Sequence, residues 1–257
     1  MPLSKLAGTA MALLVAAVAG VSPAGPSPAH QTLRIVALGD STTATALDWA
    51  PPIQEVYADC LPRSLAAHGI SATVVNAGIG DTTTRDALAR LDRDVRHHHP
   101  DLVVIQFGIN DSWIDVDQGS TAPRLTRAEY RGNLRKIIGI LKSDGAQVVL
   151  MTPNPMRWAD PYYIKAFEEH PGLLDTHAPR GIDGLLDLYA ADVREVAQQD
   201  KMPLVDVFAA FEDYGKSPGQ SIDDLLLAGD GIHPNQAGQH LVCKLLTERI
   251  AGLYRAN

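Results

Sequence analysis

The sequence predicts a doubly wound α/β fold, in which helices cover both faces of a parallel β-sheet. Short apolar runs rich in β-branched residues alternate five times with helical patterns, an order typical of parallel strands joined by crossover helices. The runs are continuously apolar, so each is expected to be a strand buried on both faces. The predicted strands are Leu33 to Leu38, Ala72 to Val75, Leu102 to Phe107, Gln147 to Met151 and Leu204 to Phe208.

Two of the predicted helices are marked clearly by the sequence. Thr126 and Glu129 have the spacing of a capping box, which predicts a helix start at this point. An apolar stripe follows, formed by Tyr130, Leu134, Ile137, Ile138 and Leu141. A similar stripe near the C-terminus is formed by Ala237, Leu241, Leu245, Leu246 and Ile250. Residues 153–184 lack periodicity, so they are interpreted as a lid or substrate loop, or as an irregular packed excursion.

Composition and charge exclude several other classes of protein. The 257 residues are 46% hydrophobic and 20% charged, and 22 Lys and Arg against 30 Asp and Glu give a net charge of -8. These values are typical of one globular domain, and not of a disordered, collagen-like or disulfide-dense chain. Because clustered cations are lacking overall, no nucleic-acid partner is expected.

Residues 1–29 have the pattern of a secretory signal peptide, which leaves residues 30–257 as the folded domain. Lys5 precedes an uncharged run from Leu6 to Val21, and Ser27-Pro28-Ala29 offers a small-residue cleavage site. The run is shorter than the ~20 residues of a spanning helix. We therefore expect no stable membrane span after signal removal, and a protein exported to a periplasm or secreted.

The chain has two cysteines, Cys60 and Cys243. Export permits a disulfide between them. Two buried thiols are an equally good interpretation, because two cysteines alone specify no geometry.

Polar turns follow three of the predicted strands, and a fourth polar cluster precedes the last helix. The clusters are Gly39-Asp40-Ser41, Asn76-Ala77-Gly78-Ile79-Gly80-Asp81, Gly108-Ile109-Asn110-Asp111 and Asp230-Gly231-Ile232-His233-Pro234. The carboxyl ends of parallel strands lie at one edge of a sheet, where ligands bind. Ser41, Asn110, Asp230 and His233 are therefore expected to share one site.

These residue types predict nucleophilic catalysis. A serine hydroxyl such as Ser41 needs a base, histidine titrates near neutrality, and a carboxylate on the second ring nitrogen fixes its tautomer. His233 and Asp230 are candidates for these roles. Asn110 and the backbone N–H groups beside Gly80 and Ser41 are candidate donors to an oxyanion. Each cluster alone is equally typical of a turn or a helix cap, and only their joint placement favours catalysis.

The clusters resemble the sequence blocks of the SGNH hydrolases, the GDSL esterase superfamily. Gly39-Asp40-Ser41 is similar to the nucleophile block, Gly108-Ile109-Asn110-Asp111 to the Gly-x-Asn-Asp block, and Asp230-Gly231-Ile232-His233-Pro234 to the block with acid and base. The resemblance covers essentially the whole chain after the leader. It implies a flavodoxin-like three-layer α/β/α sandwich with a five-stranded parallel sheet of order 2-1-3-4-5. It also implies an esterase with Ser41 as nucleophile, His233 as base, Asp230 as its partner, and no metal or organic cofactor.

One block departs from the family pattern. The family usually places an oxyanion glycine five residues after the Asn of its second block, and here that position is Asp81. Gly80 matches only if the loop is one residue shorter. Because the donor is a backbone N–H, a side chain is tolerable, although a positive φ would cost Asp more than Gly. Which of the two N–H groups serves the oxyanion stays open.

The substrate is indicated only broadly. Trp49, Trp113 and Trp158 follow the first, third and fourth predicted strands, where they would stack on a sugar, line an acyl pocket or only anchor loops. The resemblance extends to carbohydrate acetylesterases and to lysophospholipase and thioesterase relatives. A small-molecule or polysaccharide ester is expected, with carbohydrate O-acetyl esters slightly favoured.

Two other ligand hypotheses are weighed against this one. His97-His98-His99 invites a metal site, but consecutive helical residues point about 100° apart, so a solvated helix C-terminus is expected. Asp213, Asp223 and Asp224 are interpreted as a solvated acidic loop, and a cation or substrate role is the alternative because they lie close to Asp230 in sequence. The hydroxyl-rich segment from Gly39 to Thr45 also fits a non-catalytic flavodoxin-like module that binds a phosphate.

Overall fold

The computed structural model describes residues 32–44, 55–157 and 182–255. The leader predicted for residues 1–29 lies outside these ranges, as do Trp49 and Trp158 and most of the segment 153–184. The strands are β1 (Leu33–Gly39), β2 (Ala72–Gly78), β3 (Leu102–Gln106), β4 (Gln147–Met151) and β5 (Leu204–Val205). They form one five-stranded sheet of order β2-β1-β3-β4-β5, in which every neighbouring pair is parallel. The predicted doubly wound sheet and its order are confirmed.

The helices of the described ranges connect the strands and flank the site. They are α1 (Tyr57–Ala66), α2 (Thr84–Asp94), α3 (Ile109–Ser112), α4 (Arg127–Ser143), α5 (Ile182–Gln199), α6 (Val207–Gly215) and α7 (Gln236–Arg255). Thr126 caps α4, and its side chain and that of Glu129 form both hydrogen bonds of the predicted capping box. Within these ranges, no helix combines the length and the apolar composition needed to cross a bilayer.

Alternate residues of the central strands pack into two separate hydrophobic cores. Ile35 and Ala37 of β1 belong to the core beneath α1, α6 and α7. Val36 and Leu38 belong to the core beneath α2, α4 and α5. Because successive strand side chains point to opposite faces, a continuously apolar β1 fills both cores, and the sheet becomes the middle of three layers.

Two predicted strands differ from the observed ones. β2 lies at the edge of the sheet and is mostly half-buried or exposed, so the prediction that every strand is buried on both faces is wrong for it. β5 ends at Val205, and the prediction of a strand through Phe208 is also wrong. The side chain of Asp206 accepts a hydrogen bond from the backbone N–H of Ala209 and caps α6, so the apolar residues after Asp206 begin a helix.

Cys60 and Cys243 form a disulfide. Cys60 lies on α1 and Cys243 lies on α7, and their Cα atoms are 6.2 Å apart. The bond therefore joins the first and last helices of the described domain, which pack on the same face of the sheet.

Candidate active site

Ser41 lies in a tight turn that begins directly after β1. The backbone N–H of Ala44 donates to the carbonyl of Asp40 at 3.1 Å, which closes the turn. The buried carboxylate of Asp40 accepts hydrogen bonds from the Thr42 N–H at 2.9 Å and from its hydroxyl at 2.8 Å. Burial raises the pKa of Asp40 in spite of these two donors. The hydrogen bonds to Asp40 fix the backbone of the turn. The side chain of Ser41 is thereby held at the carboxyl edge of the sheet.

Ser41, His233 and Asp230 are joined in one hydrogen-bonded chain. His233 Nε2 lies 2.8 Å from Ser41 Oγ, and His233 Nδ1 lies 3.0 Å from Asp230 Oδ2. The His233 side chain is 9% exposed, so its contacts are largely shielded from water. Residues 192 positions apart in sequence thus meet at the edge that the polar turns predict.

A compact turn holds His233 and Asp230 at this separation. Asp230 Oδ1 accepts a hydrogen bond from the Ile232 N–H at 2.7 Å, and Gly231 has a φ of 66°, a value that glycine adopts without steric cost. The side-chain amide of Asn154, which follows β4, donates to the Ile232 carbonyl at 2.7 Å. The turn before α7 is therefore bound to the same sheet edge.

The candidate oxyanion donors lie in two neighbouring turns at this edge. A Cβ atom placed on Gly80 would lie 3.8 Å from Ser41 Cβ, so Gly80 is adjacent to Ser41. Asn110 lies on α3, and its side-chain amide donates to the Thr82 carbonyl at 3.0 Å. The hydroxyl of Thr82 donates to the Ile79 carbonyl at 2.7 Å. Asn110 is thus bound to the turn that contains Gly80, and an amide has a second N–H to offer.

Asp81 has a left-handed backbone, with a φ of 58°. The departure from the family glycine therefore falls at a residue with a positive φ, where Asp is costlier than Gly but permitted. The carboxylate of Asp81 forms an ion pair with Arg124 at 2.5 Å, and Arg124 also binds Asp115 at 2.8 Å. The two carboxylates raise the pKa of Arg124. Sequence analysis missed Arg124, because its partner Asp81 is 43 positions away and no local pattern links them.

Arg90 is a second residue that sequence analysis missed. It is 7% exposed, and its guanidinium donates to the carbonyls of Gly39 at 2.8 Å and Ala77 at 2.7 Å. It therefore joins the ends of β1 and β2 beside the Ser41 turn. The sequence signal was the three-residue spacing of Thr84, Ala87 and Arg90, which puts Arg90 near the same face of a helix. This is the face that α2 buries.

The other candidate ligand residues lie apart from this hydrogen-bonded chain. His97 and His98 lie in an exposed 3-10 turn that follows α2, and His99 ends it with a φ of 47°. Asp213 lies on α6, where it pairs with Lys216 at 2.8 Å, so its placement in a loop is wrong. Asp223 and Asp224 lie in a 3-10 turn over Ile222–Leu225. In the described part of the chain, no three His, Cys, Asp or Glu residues are grouped so as to hold a metal ion.

Trp113 is the described member of the three tryptophans. It is half-buried and ends α3, three positions after Asn110. Its N–H donates to the Asn110 carbonyl at 3.3 Å. An aromatic ring is thus carried by the same short segment as the candidate oxyanion amide.

Comparison with known proteins decides the family. Residues 37–241 match the GDSL-like Lipase/Acylhydrolase family, a range that includes Ser41, Asn110 and His233. The chain belongs to this family. The prediction of a GDSL hydrolase that acts on ester bonds is thereby confirmed, and the competing non-catalytic binding module is not supported.

Several relatives are similar over much of this GDSL hydrolase. An arylesterase of Vibrio mimicus is 36% identical over 135 residues, which are 51% of this chain and 62% of the relative, so the match spans less than two thirds of that protein. An acetylxylan esterase of Geobacillus stearothermophilus is 30% identical over 69% of this chain and 71% of its own. The crystal structure of a lipase/acylhydrolase from Enterococcus faecalis has a TM-score of 0.65 and 32% identity, and it covers 86% of this chain and 96% of that one.

The solved structures of the Geobacillus stearothermophilus acetylxylan esterase include three described as catalytic mutants. They replace a serine, an aspartate or a histidine by alanine. In that protein the aspartate precedes the histidine by three positions. Asp230 and His233 have the same spacing.

Proposed function

We propose that this GDSL hydrolase cleaves carboxylic esters through an acyl-enzyme on Ser41, with His233 as general base and acid and Asp230 as its orienting partner. The 2.8 Å contact between His233 Nε2 and Ser41 Oγ carries the proposal, because a base must reach the proton that it removes. The serine, aspartate and histidine of the acetylxylan esterase mutants support the same assignment.

The proposed reaction has two steps. Ser41 Oγ attacks the acyl carbon while His233 Nε2 takes the hydroxyl proton, and the imidazolium then gives this proton to the departing alcohol. Water next attacks the acyl-serine, gives a proton to His233, and the acid leaves as Ser41 regains its hydrogen. Asp230 accepts from Nδ1–H, which leaves Nε2 unprotonated at the start and stabilises the imidazolium.

The oxyanion formed in each step needs donors that are fixed before the charge develops. We propose the Asn110 amide and the N–H groups of Ser41 and Gly80. Gly80 lies against Ser41, and the amide of Asn110 is held at the same turn. No step of this chemistry calls for a metal or an organic cofactor.

For the substrate we propose O-acetyl esters of carbohydrates. The acetylxylan esterase relative supports this class, and Trp113 supplies an aromatic side chain near Asn110 for a sugar ring. A panel of acetylated xylooligosaccharides, lysophospholipids, acyl thioesters and p-nitrophenyl acetate tests the choice. The highest kcat/KM is expected for the acetylated sugar, and a higher value for a lysophospholipid or thioester would overturn it.

A labelling experiment tests the nucleophile. A fluorophosphonate should modify wild-type protein at Ser41, and Ser41→Ala should abolish both labelling and nearly all p-nitrophenyl acetate turnover. Ser143→Ala is the matched control, because Ser143 ends α4 and its hydroxyl donates to the Ile140 carbonyl of the same helix. Wild-type turnover by Ser41→Ala would refute the mechanism.

We also propose that the protein is exported after cleavage behind Ala29, to a periplasm or outside the cell. The disulfide between Cys60 and Cys243 supports an oxidising compartment. Mass spectrometry of protein recovered from the periplasm or culture medium should give an N-terminus near residue 30. An intact Met1 in the exported fraction would contradict the assignment.

A further inference from the structure

We propose that Arg124 is a positioning residue for the oxyanion donors, and that it acts by holding Asp81 in its left-handed conformation beside Gly80. The inference rests on the proposed role of Gly80 and Asn110. In the described hydrogen bonds and ion pairs, Arg124 binds Asp81 and Asp115 through its guanidinium, and neither Ser41 Oγ nor His233. Its effect on the reaction would therefore pass through Asp81.

The first step of the argument is the backbone of Asp81. A φ of 58° is unfavourable for any residue with a Cβ, and strained backbones of this kind persist only when surrounding contacts hold them. Among the described residues other than its two chain neighbours, only Ser41 has an atom within 4 Å of a Cβ placed on Gly80. Gly80, which must stay beside Ser41, is therefore followed directly by Asp81, a residue whose preferred backbone conformation has a negative φ.

The second step is the set of contacts made by Arg124. Its guanidinium binds Asp81 Oδ1 at 2.5 Å and Asp115 Oδ1 at 2.8 Å. Its side chain is 25% exposed, while that of Asp81 is 79% exposed. The arginine is thus the anchored partner, and the carboxylate of Asp81 is drawn toward it.

The third step is the segment that carries Arg124. The N–H of Arg124 donates to the Trp113 carbonyl at 2.8 Å, and the N–H of Leu125 donates to the Asp111 carbonyl at 3.1 Å. Arg124 is therefore fixed to the end of α3, the helix of Asn110. Its ion pair with Asp81 joins the Asn110 segment to the Gly80 turn, and both candidate donors are held relative to each other.

Kinetics on p-nitrophenyl acetate and on the best ester of the panel test the proposal. Arg124→Met keeps an unbranched stem in place of the arginine methylenes but loses both ion pairs. Removing an oxyanion donor outright costs roughly 10² to 10³ in rate, so displacing one is expected to lower kcat about tenfold or more, with KM changed less than about threefold. Arg96→Met is the matched control, because Arg96 also bridges two carboxylates, Asp92 and Asp144, and it should leave kcat unchanged.

A double-mutant cycle separates positioning from a general loss of structure. A glycine at position 81 adopts the same φ without strain, so Asp81→Gly should keep kcat within about threefold. In that background, Arg124→Met should change kcat very little. Asp81→Ala should lower kcat as much as Arg124→Met does, and Asp81→Asn should fall between, because Asn tolerates a positive φ better than Ala.

The outcomes distinguish this inference from the proposed mechanism. If Ser41→Ala is inactive and Arg124→Met has a normal kcat, the proposed role of Arg124 is overturned and the mechanism stands. The same loss of kcat for Arg124→Met in the Asp81→Gly background would also overturn it, since the effect would not pass through Asp81. If Ser41→Ala stays active, the mechanism itself fails, whatever Arg124→Met does.

Discussion

The carboxylate of Asp111 accepts two hydrogen bonds from Thr84, one from its N–H at 3.0 Å and one from its hydroxyl at 2.6 Å. This contact ties α2 to α3 next to Asn110. Both hydrogen bonds reach Oδ1, and the buried Oδ2 has no hydrogen-bond partner among the described residues. Burial raises the pKa of Asp111 from 3.8 to about 7, and the neighbouring carboxylate of Asp40 adds to the rise.

The raised pKa of Asp111 predicts a pH-dependent stability. The native state holds a proton on Asp111 between about pH 4 and pH 7, where the unfolded chain has lost it, so this group's contribution to stability falls as pH rises through that window. Asp111→Asn cannot titrate. In urea unfolding, the free energy of unfolding of the variant should therefore rise relative to that of the wild type by on the order of 2 kcal/mol from pH 5 to pH 7. The further rise by pH 8 should be much smaller.

A control of opposite sign is available on α2. The hydrogen bond from Arg93 lowers the pKa of Asp94 to about 2, so its stabilising contribution is present above about pH 4 and is lost only at lower pH. Asp94→Asn should differ from the wild type by the same free energy of unfolding at pH 5 and at pH 8. A constant difference for Asp111→Asn as well would show that Asp111 does not titrate in this range.

Asp230→Asn is predicted to stop catalysis while leaving the fold intact. The Asn oxygen still accepts from the Ile232 N–H, but the amide donor facing His233 Nδ1 favours the tautomer that carries its proton on Nε2, which cannot accept one from Ser41. We expect kcat to fall by roughly 10³ to 10⁴ with little change in KM. Asp213→Asn, at an exposed pair with Lys216, should keep full activity.

The sequence predicted the parts of this molecule whose cause is local. β4 has the predicted bounds, and Thr126 caps α4 as expected, because an apolar run and a capping box act within a few residues. The end of β5 was missed, since the cap formed by Asp206 outweighed the strand preference of the residues after it. The order of the sheet came from family resemblance, because alternation of strands and helices does not specify which strands are neighbours.

The parts that the sequence left open depend on contacts between distant residues. The meeting of Ser41 and His233 was predicted from the shared edge of parallel strands together with the family resemblance, because no local motif joins residues so far apart. The pairing of Cys60 with Cys243 required a Cα separation that only the packed α1 and α7 provide. The pairing of Arg124 with Asp81 has no counterpart in any local motif.

Removal of the disulfide is predicted to lower stability without changing the chemistry. The bond spans 183 positions, and loss of a native disulfide typically costs about 2–5 kcal/mol. The variant with both Cys60→Ser and Cys243→Ser should unfold at a lower urea concentration than the oxidised wild type and should match the reduced wild type. Its kcat at 25 °C should stay close to that of the wild type, and an unchanged urea midpoint would contradict the stabilising role.

Two glycine substitutions are predicted to have opposite effects. A Cβ atom on Gly78 would lie 2.7 Å from the carbonyl carbon of Thr43, and this backbone belongs to the turn of Ser41. Gly78→Ala must shift that turn, so we expect a loss of about 1–3 kcal/mol in stability and a lower kcat. Gly139 is exposed on α4, and outside the backbone of α4 no described atom lies within 4 Å of an added Cβ, so Gly139→Ala should gain about 0.5–1 kcal/mol. Urea unfolding and p-nitrophenyl acetate kinetics measure both effects, and a stable, fully active Gly78→Ala would show that the end of β2 does not set the position of Ser41.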